Sequence, residues 1–537
     1  MTNATASDTS SITKPASRVM FGGVLALAGG LISDIIVAYI YGAGSSMDAY
    51  LTAMVIPTYI QIVFFSSLAF VVIPVFIEAE SNKRSDDAWA LVGTFFWITS
   101  IVLLLVSVLG SIFSRSIIGL VAPGFQGGKV TLASNMLAIL MFSTPFTGLS
   151  ILTVGIQNAR HHFFWPSVAP AVGSLVNIVT LLLLSGFIGP LALCWGYLLS
   201  IITQAGFSVI PVVRHGWKKI LPLNDEHVRN IGKAMLPLIV FGLFTCISPV
   251  AVRYFSSGLP DGQIAYMGYA NKISNIFVIF LASGIAASIF PSMARAFAQD
   301  GLPGLSKKNH FGLRLSFAVA LPAVMVVAAV DIPLIRIFFE RGEFTEADTI
   351  GVSQILFAFL VGDVLFRMVG NIFERGFYTL KNTVTPPLIS SVFVIIFIAT
   401  AHLVVTRWGY VGLVWANVAR QGFDITTAGI VLFRKFPKEQ SEHLTGSILS
   451  YLLAACASFL CGRLVLSSVS FIPAFIQLIL GGLCSGGVYL ALLYFIDKPM
   501  LTSIFELFDV RSFLGKFQIG INWLTQRKPW PNERSQQ

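Results

Sequence analysis

The chain has 537 residues; 11% are charged, 55% are apolar, and the formal net charge at pH 7 is +10. Soluble domains carry about 25% charged residues, so a water-soluble globular fold is excluded. The positive balance raises the question of a nucleic-acid partner, which the placement of the charges decides.

In chain order, residues 1–17 are rich in Ser and Thr and read as a disordered cytoplasmic N-terminus. Apolar windows long enough to cross a bilayer then predict fourteen helical spans. They lie at 19–41, 48–77, 88–113, 130–157, 162–186, 189–213, 232–256, 264–297, 310–339, 347–378, 384–405, 409–433, 444–466 and 471–496. The first reads as a spanning helix, because no small-residue cleavage site precedes a polar mature start. A cytoplasmic linker, 216–231, separates spans 6 and 7. After spans 13 and 14 (444–497) comes a tail, 498–537, in which Phe505, Phe508, Phe513, Phe517 and Trp523 alternate with Arg511, Lys516, Arg527 and Lys528. It reads either as an amphipathic segment against anionic lipid or as a disordered basic tail.

With the N-terminus inside, twenty-five Lys and Arg fall in cytoplasmic segments. Only Arg115, Lys129, Arg336, Arg341, Arg407 and Arg463 fall outside. Inserted helices obey that asymmetry, so the positive charge is topological and no nucleic acid is needed to explain it. The five cysteines lie in apolar windows without metal-ligand spacing and read as buried thiols. His161, His162 and His402 join no catalytic arrangement, and neither a phosphate loop nor an ATP-binding domain is present. The expectation is a transporter that is not an enzyme, without cofactor or metal, driven by an ion gradient, the membrane potential or its substrate's gradient.

The chain also repeats itself. Gly155 and Pro166 recur as Gly376 and Pro387; Gly189, Leu193 and Trp195 recur as Gly409, Leu413 and Trp415. The shared offset makes spans 1–6 (18–215) and 7–12 (232–435) tandem lobes. Six is an even number, so both copies have one orientation and are related by an axis along the membrane normal. The fold class expected is therefore all-α and polytopic, two parallel-repeat six-helix lobes plus two C-terminal helices.

Charged side chains inside a bilayer are costly and tend to face cavities or partners. The candidates are Asp34 in span 1, Asp48 opening span 2, Arg253 in span 7 and Lys272 in span 8 beside Asn271 and Asn275. Two further pairs, Asp363/Arg367 and Arg420/Asp424, have i,i+4 spacing and read more as self-neutralised pairs than as transport groups. Lys272 has no acid one turn away on its own helix, and its amide neighbours suit a wet cavity.

Several motifs carry a resemblance. Gly42-Ala43-Gly44 followed by Asp48-Ala49-Tyr50 resembles the start of the MurJ/MviN proteins, lipid II flippases of the multidrug/oligosaccharidyl-lipid/polysaccharide exporter superfamily. Pro291-Ser292 with Phe297-Ala298 before Gly301 resembles the end of their eighth helix. Gly342-Glu343-Phe344-Thr345 with Asp348 is similar to the loop before their tenth, and Gly376-Phe377-Tyr378, Lys381, Thr383 and Thr385-Pro386 to the loop after it. The similarity runs over 17–435.

The resemblance implies two lobes around a V-shaped cavity lined by helices 1, 2, 7 and 8, alternating between inward-open and outward-open. It also implies a lateral groove at helices 13 and 14 for a lipid tail. A sugar-pyrophosphate head cannot cross hydrocarbon unaided, and a hydrated cationic cavity lowers that barrier. The expected partners are a lipid-linked saccharide, membrane lipid and a coupling ion; the cavity residues are Asp48, Lys272, Arg253, Asn271 and Asp34. Family arginines on helices 1 and 2 correspond here to Leu27, Ser33 and Gln61, and the Asp-Arg of helix 8 to Asn271-Lys272. These departures leave room for another polyprenyl-linked oligosaccharide as substrate. An ion-coupled exporter of small cationic drugs is the alternative, and it expects acidic residues to dominate the cavity. A non-transporting scaffold for polymer synthesis would instead tolerate charge removal there.

Overall fold

The computed structural model describes residues 5–81, 85–160, 162–213, 221, 225–437, 444–469 and 471–507. The basic tail beyond 507, His161 and most of the 216–231 linker lie outside them. Among the described residues every regular element is helical.

Among the described residues thirteen helical segments are long and apolar enough to span a bilayer. One of them, Thr385–Phe433, is 49 residues long and is broken at Gly409, where φ is 59°. It therefore holds spans 11 and 12, which restores the fourteen expected. Spans 8 and 9 likewise share one run, Gln263–Ala329, interrupted at Gly301. The first helix is Thr5–Tyr41. Residues 5–17, expected to be disordered, fall within that helix, Pro15 included.

The duplication is visible in the backbone. Short helices Ser114–Val121 and Asp331–Phe338 follow spans 3 and 9 at matching places. Gly42 and Gly262, 220 residues apart, both have positive φ (56° and 92°). Each sits where another chain segment comes too close for a Cβ. A side chain at Gly42 would strike the backbone of Glu343, and one at Gly262 the carbonyl of Ala43. The breaks in spans 4 and 10 also correspond. Span 4 is interrupted at Phe142, between Gly128–Met141 and Ser143–Ala159. Span 10 contains a π-helical stretch, Leu360–Phe366, between Glu346–Phe359 and Arg367–Thr379.

The chain packs as two units. The first comprises Met1–Ala270, Ile335–Ile355 and Val394–Asn417; the second comprises Asn271–Leu334, Leu356–Phe393 and Val418–Gln537. These boundaries cut through each of spans 8 to 12 and so differ from the lobe limits at 215 and 232. The physical reason is that segments from both copies are tied together at one end of the first unit.

Within that unit, Phe76, Trp89, Phe95, Leu152, Ile156 and Ile231 form one buried cluster, with Phe76 and Trp89 edge to face. A second cluster of Phe397, Ala401 and Leu413 packs on Ala251, Val252 and Phe255. In the second unit, spans 9, 13 and 14 meet through small residues: Gly462 lies against Ala329 and Ser485, and Gly481 against Val330. Ser458 and Ser485 exchange hydrogen bonds, and Tyr489 donates to the Ala318 carbonyl. Large apolar side chains cover the outside, with Phe187 86% and Phe495 83% exposed. In water such a surface would aggregate; in acyl chains it is the solvated face.

Candidate functional site

Span 1 ends at Tyr41 and the chain reverses at Gly42, where only a residue without Cβ fits. The next helix opens at Ser45, which puts Asp48 in its first turn, where a carboxylate suits the helix dipole. The Asp48 side chain is wholly buried. Its Oδ1 accepts from the Ala265 N–H at 2.8 Å, and its Oδ2 accepts from the Gly262 N–H at 2.8 Å. One carboxylate thus satisfies free N–H groups at the start of span 8 as well as lying at the start of span 2.

Lys129, in the first turn of span 4, donates from Nζ to Asp48 Oδ2 at 2.9 Å and to Asp261 Oδ1 at 2.6 Å. It also lies 4.5 Å from the centre of the Phe125 ring. A buried carboxylate is stable only when paired and hydrogen-bonded, and Asp48 has both kinds of partner.

The same end is closed by other contacts between the two copies. Tyr269 Oη donates to the Gly42 carbonyl at 2.8 Å, and its ring packs on Phe339 and Phe344. The Glu343 N–H donates to the Tyr39 carbonyl at 3.0 Å, and the Gly124 N–H to Ser257 Oγ at 3.0 Å. Within the second copy, Tyr266 donates to Asp348 at 3.1 Å, and Tyr410 to Gln354 Oε1 at 2.7 Å. The Gly342–Thr345 motif and Asp348, found by resemblance, thus belong to the closure that holds Asp48.

Of the residues singled out in the sequence, Asp34, Asp48 and Arg253 all lie in the first unit. Asp34 is within electrostatic reach of Tyr50 and Tyr269, and Arg253 within reach of Tyr59 and Asp48. The Nη1 of Arg253 is buried without a hydrogen-bond partner among the described residues. Lys272 and Asn271 open the second unit, Lys272 half-buried. The Asn271 amide is engaged: its Nδ2 donates to Asp363 Oδ2 at 3.1 Å. Asp363 also pairs with Arg367 at 2.9 Å, whereas Arg420 and Asp424 stand 4.0 Å apart. At Ser33 and Gln61 the hydrogen-bond partners are neutral. Ser33 Oγ accepts from Asn177 Nδ2 at 2.7 Å, and Gln61 Nε2 reaches Ser143 Oγ at 3.5 Å.

Sequence reasoning missed Lys129, which it counted only as an outside loop charge, and Asp261, which it did not single out. The available signal was that Lys129 opens an apolar helix directly after Gly127-Gly128. It also missed Asp497, at the end of span 14. That carboxylate accepts from Tyr451 Oη, from Arg314 Nη2 at 2.5 Å and from the Met500 N–H at 3.1 Å. Burial pushes the Asp497 carboxyl up, but the Tyr451, Met500 and Arg314 interactions outweigh it and hold the group below the ordinary carboxylate range.

A duplicated array of fourteen lipid-facing spans, tied at one end through a buried carboxylate and its lysine, is the architecture of a multi-pass membrane transporter. Solved structures share it. The chain superposes on "Lipid II flippase MurJ, inward closed conformation" with a TM-score of 0.76 at 20% identity, covering 91% of this chain and all of that one. It superposes on an inward-facing multidrug resistance MATE family transporter with a TM-score of 0.63 at 15% identity, over 78% of this chain and 98% of that one. The family model described as "Lipid II flippase MurJ" matches residues 37–481, and the chain belongs to that family.

Relatives named "Probable lipid II flippase MurJ" include one from Buchnera aphidicola subsp. Acyrthosiphon pisum, 28% identical over 70% of this chain and 74% of its own length. Another, from Haemophilus influenzae, is 27% identical over 78% of this chain and 84% of its own. The protein is thus a multi-pass bacterial membrane protein of a flippase family.

Proposed function

We propose that this protein flips a polyprenyl-pyrophosphate-linked saccharide, lipid II in the first place, across the cytoplasmic membrane by alternating access, for cell-wall or surface-polysaccharide synthesis. The observation that carries the reading is the family match across residues 37–481. Both termini are cytoplasmic, which the Lys/Arg asymmetry supports. In that orientation the Asp48–Lys129–Asp261 cluster lies at the extracellular end and acts as a gate. It holds that end shut while the head group enters from inside, and opening it exchanges buried ion-pair contacts for water.

Arg253 in the first unit and Lys272 in the second supply positive charge to the anionic head group; Asp34, Asp48 and Asn271 are the polar groups assigned to it. The six-helix lobes 18–215 and 232–435 are the bodies that move, and an ion gradient or the membrane potential drives them. A second reading keeps the mechanism and changes the cargo. Leu27, Ser33 and Gln61 are neutral where the family's arginines stand, which favours another lipid-linked oligosaccharide.

Flipping of lipid II into proteoliposomes of the full chain tests this. The Lys272→Ala variant is expected to lose tenfold or more of the rate at equal expression, about what one hydrogen bond to a charged group is worth. Unchanged flipping in that variant removes Lys272 from the mechanism. An inert wild-type chain that moves a different lipid-linked saccharide selects the second reading.

A further inference from the structure

Asp363 has more partners than a self-contained ion pair needs. Arg367, one turn along, satisfies Oδ1 at 2.9 Å, yet Oδ2 receives two further hydrogen bonds from span 8: Asn271 Nδ2 at 3.1 Å and Ser274 Oγ at 2.8 Å. The Asn271 amide is itself oriented, because Asn275 Nδ2 donates to its Oδ1 at 2.8 Å and so leaves Nδ2 aimed at Asp363. Asp363 is 8% exposed and stands in the middle of the π-helical stretch Leu360–Phe366. A π-turn costs regular helix geometry and is retained where it aims a side chain that α-helical pitch would misplace.

Asn271 and Ser274 are three apart and share one face of span 8. At about 100° per residue, Lys272 lies about 130° around the helix from the middle of that face. Tying the face to Asp363 therefore fixes the rotation of span 8 about its axis, and with it the direction of Lys272. The acceptor must be a carboxylate. Three donors converge on it, and an asparagine would set its own N–H₂ against one of them.

We propose that Asp363, aimed by the π-turn of span 10, is a positioning residue that sets the rotational register of span 8 and thereby presents Lys272 to the substrate. The inference rests on the role given to Lys272 above; the register itself is testable without any substrate.

The test uses the full chain in membranes with its five native cysteines replaced by alanine. Single cysteines are placed by Lys272→Cys and, on the Asp363-facing side, by Val278→Cys. Reactivity toward the small hydrophilic reagent methanethiosulfonate-ethylammonium is then compared with and without Asp363→Asn. The expected result is reciprocal: reactivity at 272 falls about tenfold and at 278 rises, as losing one hydrogen bond to a charged group implies. Unchanged reactivity at 272 overturns the proposal. So does a parallel rise at both positions, which reports loosening rather than rotation. Should Lys272→Ala flip lipid II normally while the reciprocal pattern holds, the register is established and only the transport role of Lys272 fails.

Discussion

The Asp48 carboxylate is buried at the meeting point of two helix starts, and its charge is balanced by a lysine that reaches it from a third helix. Removing one member of such a pair leaves the other buried and uncompensated, at a cost of about 3–5 kcal/mol. Asp48→Ala is accordingly expected to loosen the closed end: amide exchange in the peptide covering 262–269 should rise by about 100-fold or more. Exchange at the wild-type rate would show that the carboxylate does not hold the start of span 8. Asp48 was legible as an unusual residue because a charge inside an apolar chain is conspicuous. Its partners were not, because Lys129 and Asp261 look like any loop charge until the backbone brings 48, 129 and 261 together.

Among the elements, spans 9, 13 and 14 form a module fastened near both ends. Arg314 and Tyr451 hold Asp497 at one end, and Arg463 pairs with Asp331 at 3.0 Å at the other. The Asp497 carboxyl titrates below its ordinary value, near 3.9 in unfolded chains. Its contribution is therefore fully present above that value and is lost as pH falls through the lower, folded one. Thermal unfolding in detergent should show wild type more stable than Asp497→Asn at neutral pH. The gap should narrow only below the ordinary carboxylate range. A gap independent of pH down to strong acid would contradict the assignment. Helix existence was readable in each of these elements from apolar length alone. The break between spans 11 and 12 was readable as well, with span 12 expected to open at Gly409, but the π-turn at 360–366 was not, since no local pattern marks a departure from regular pitch.

For the whole molecule the governing quantity is orientation. The proposed orientation, drawn from positive charge on alternate loops, puts the loop at Lys381 in the cytoplasm and the loop at Glu343 outside. In the cysteine-free chain, Glu343→Cys is expected to react with an impermeant thiol reagent on intact spheroplasts, and Lys381→Cys only after permeabilisation. The reverse pattern would invert the topology and move the Asp48 gate to the cytoplasmic face. The same arrangement explains why the packing units do not follow the duplicated lobes: the buried ties at 39–48, 124–129, 257–269 and 339–351 join the two copies at one end.

The sequence by itself determined the membrane class, the number of spans and the duplication. These follow from local properties: apolar length, charge on alternate loops, and residues recurring at one offset. The motifs also pointed to the family. Only the tertiary structure decided what the charged residues touch. It joined Asp48 to Lys129, turned Asn271 from a presumed cavity amide into a ligand of Asp363, and gave neutral partners to Ser33 and Gln61. The physical reason is that a buried charge is satisfied by whichever donor the fold brings within about 3 Å, and no pattern along one chain specifies a distance between residues so far apart in sequence, as 48 and 129 or 271 and 363 are.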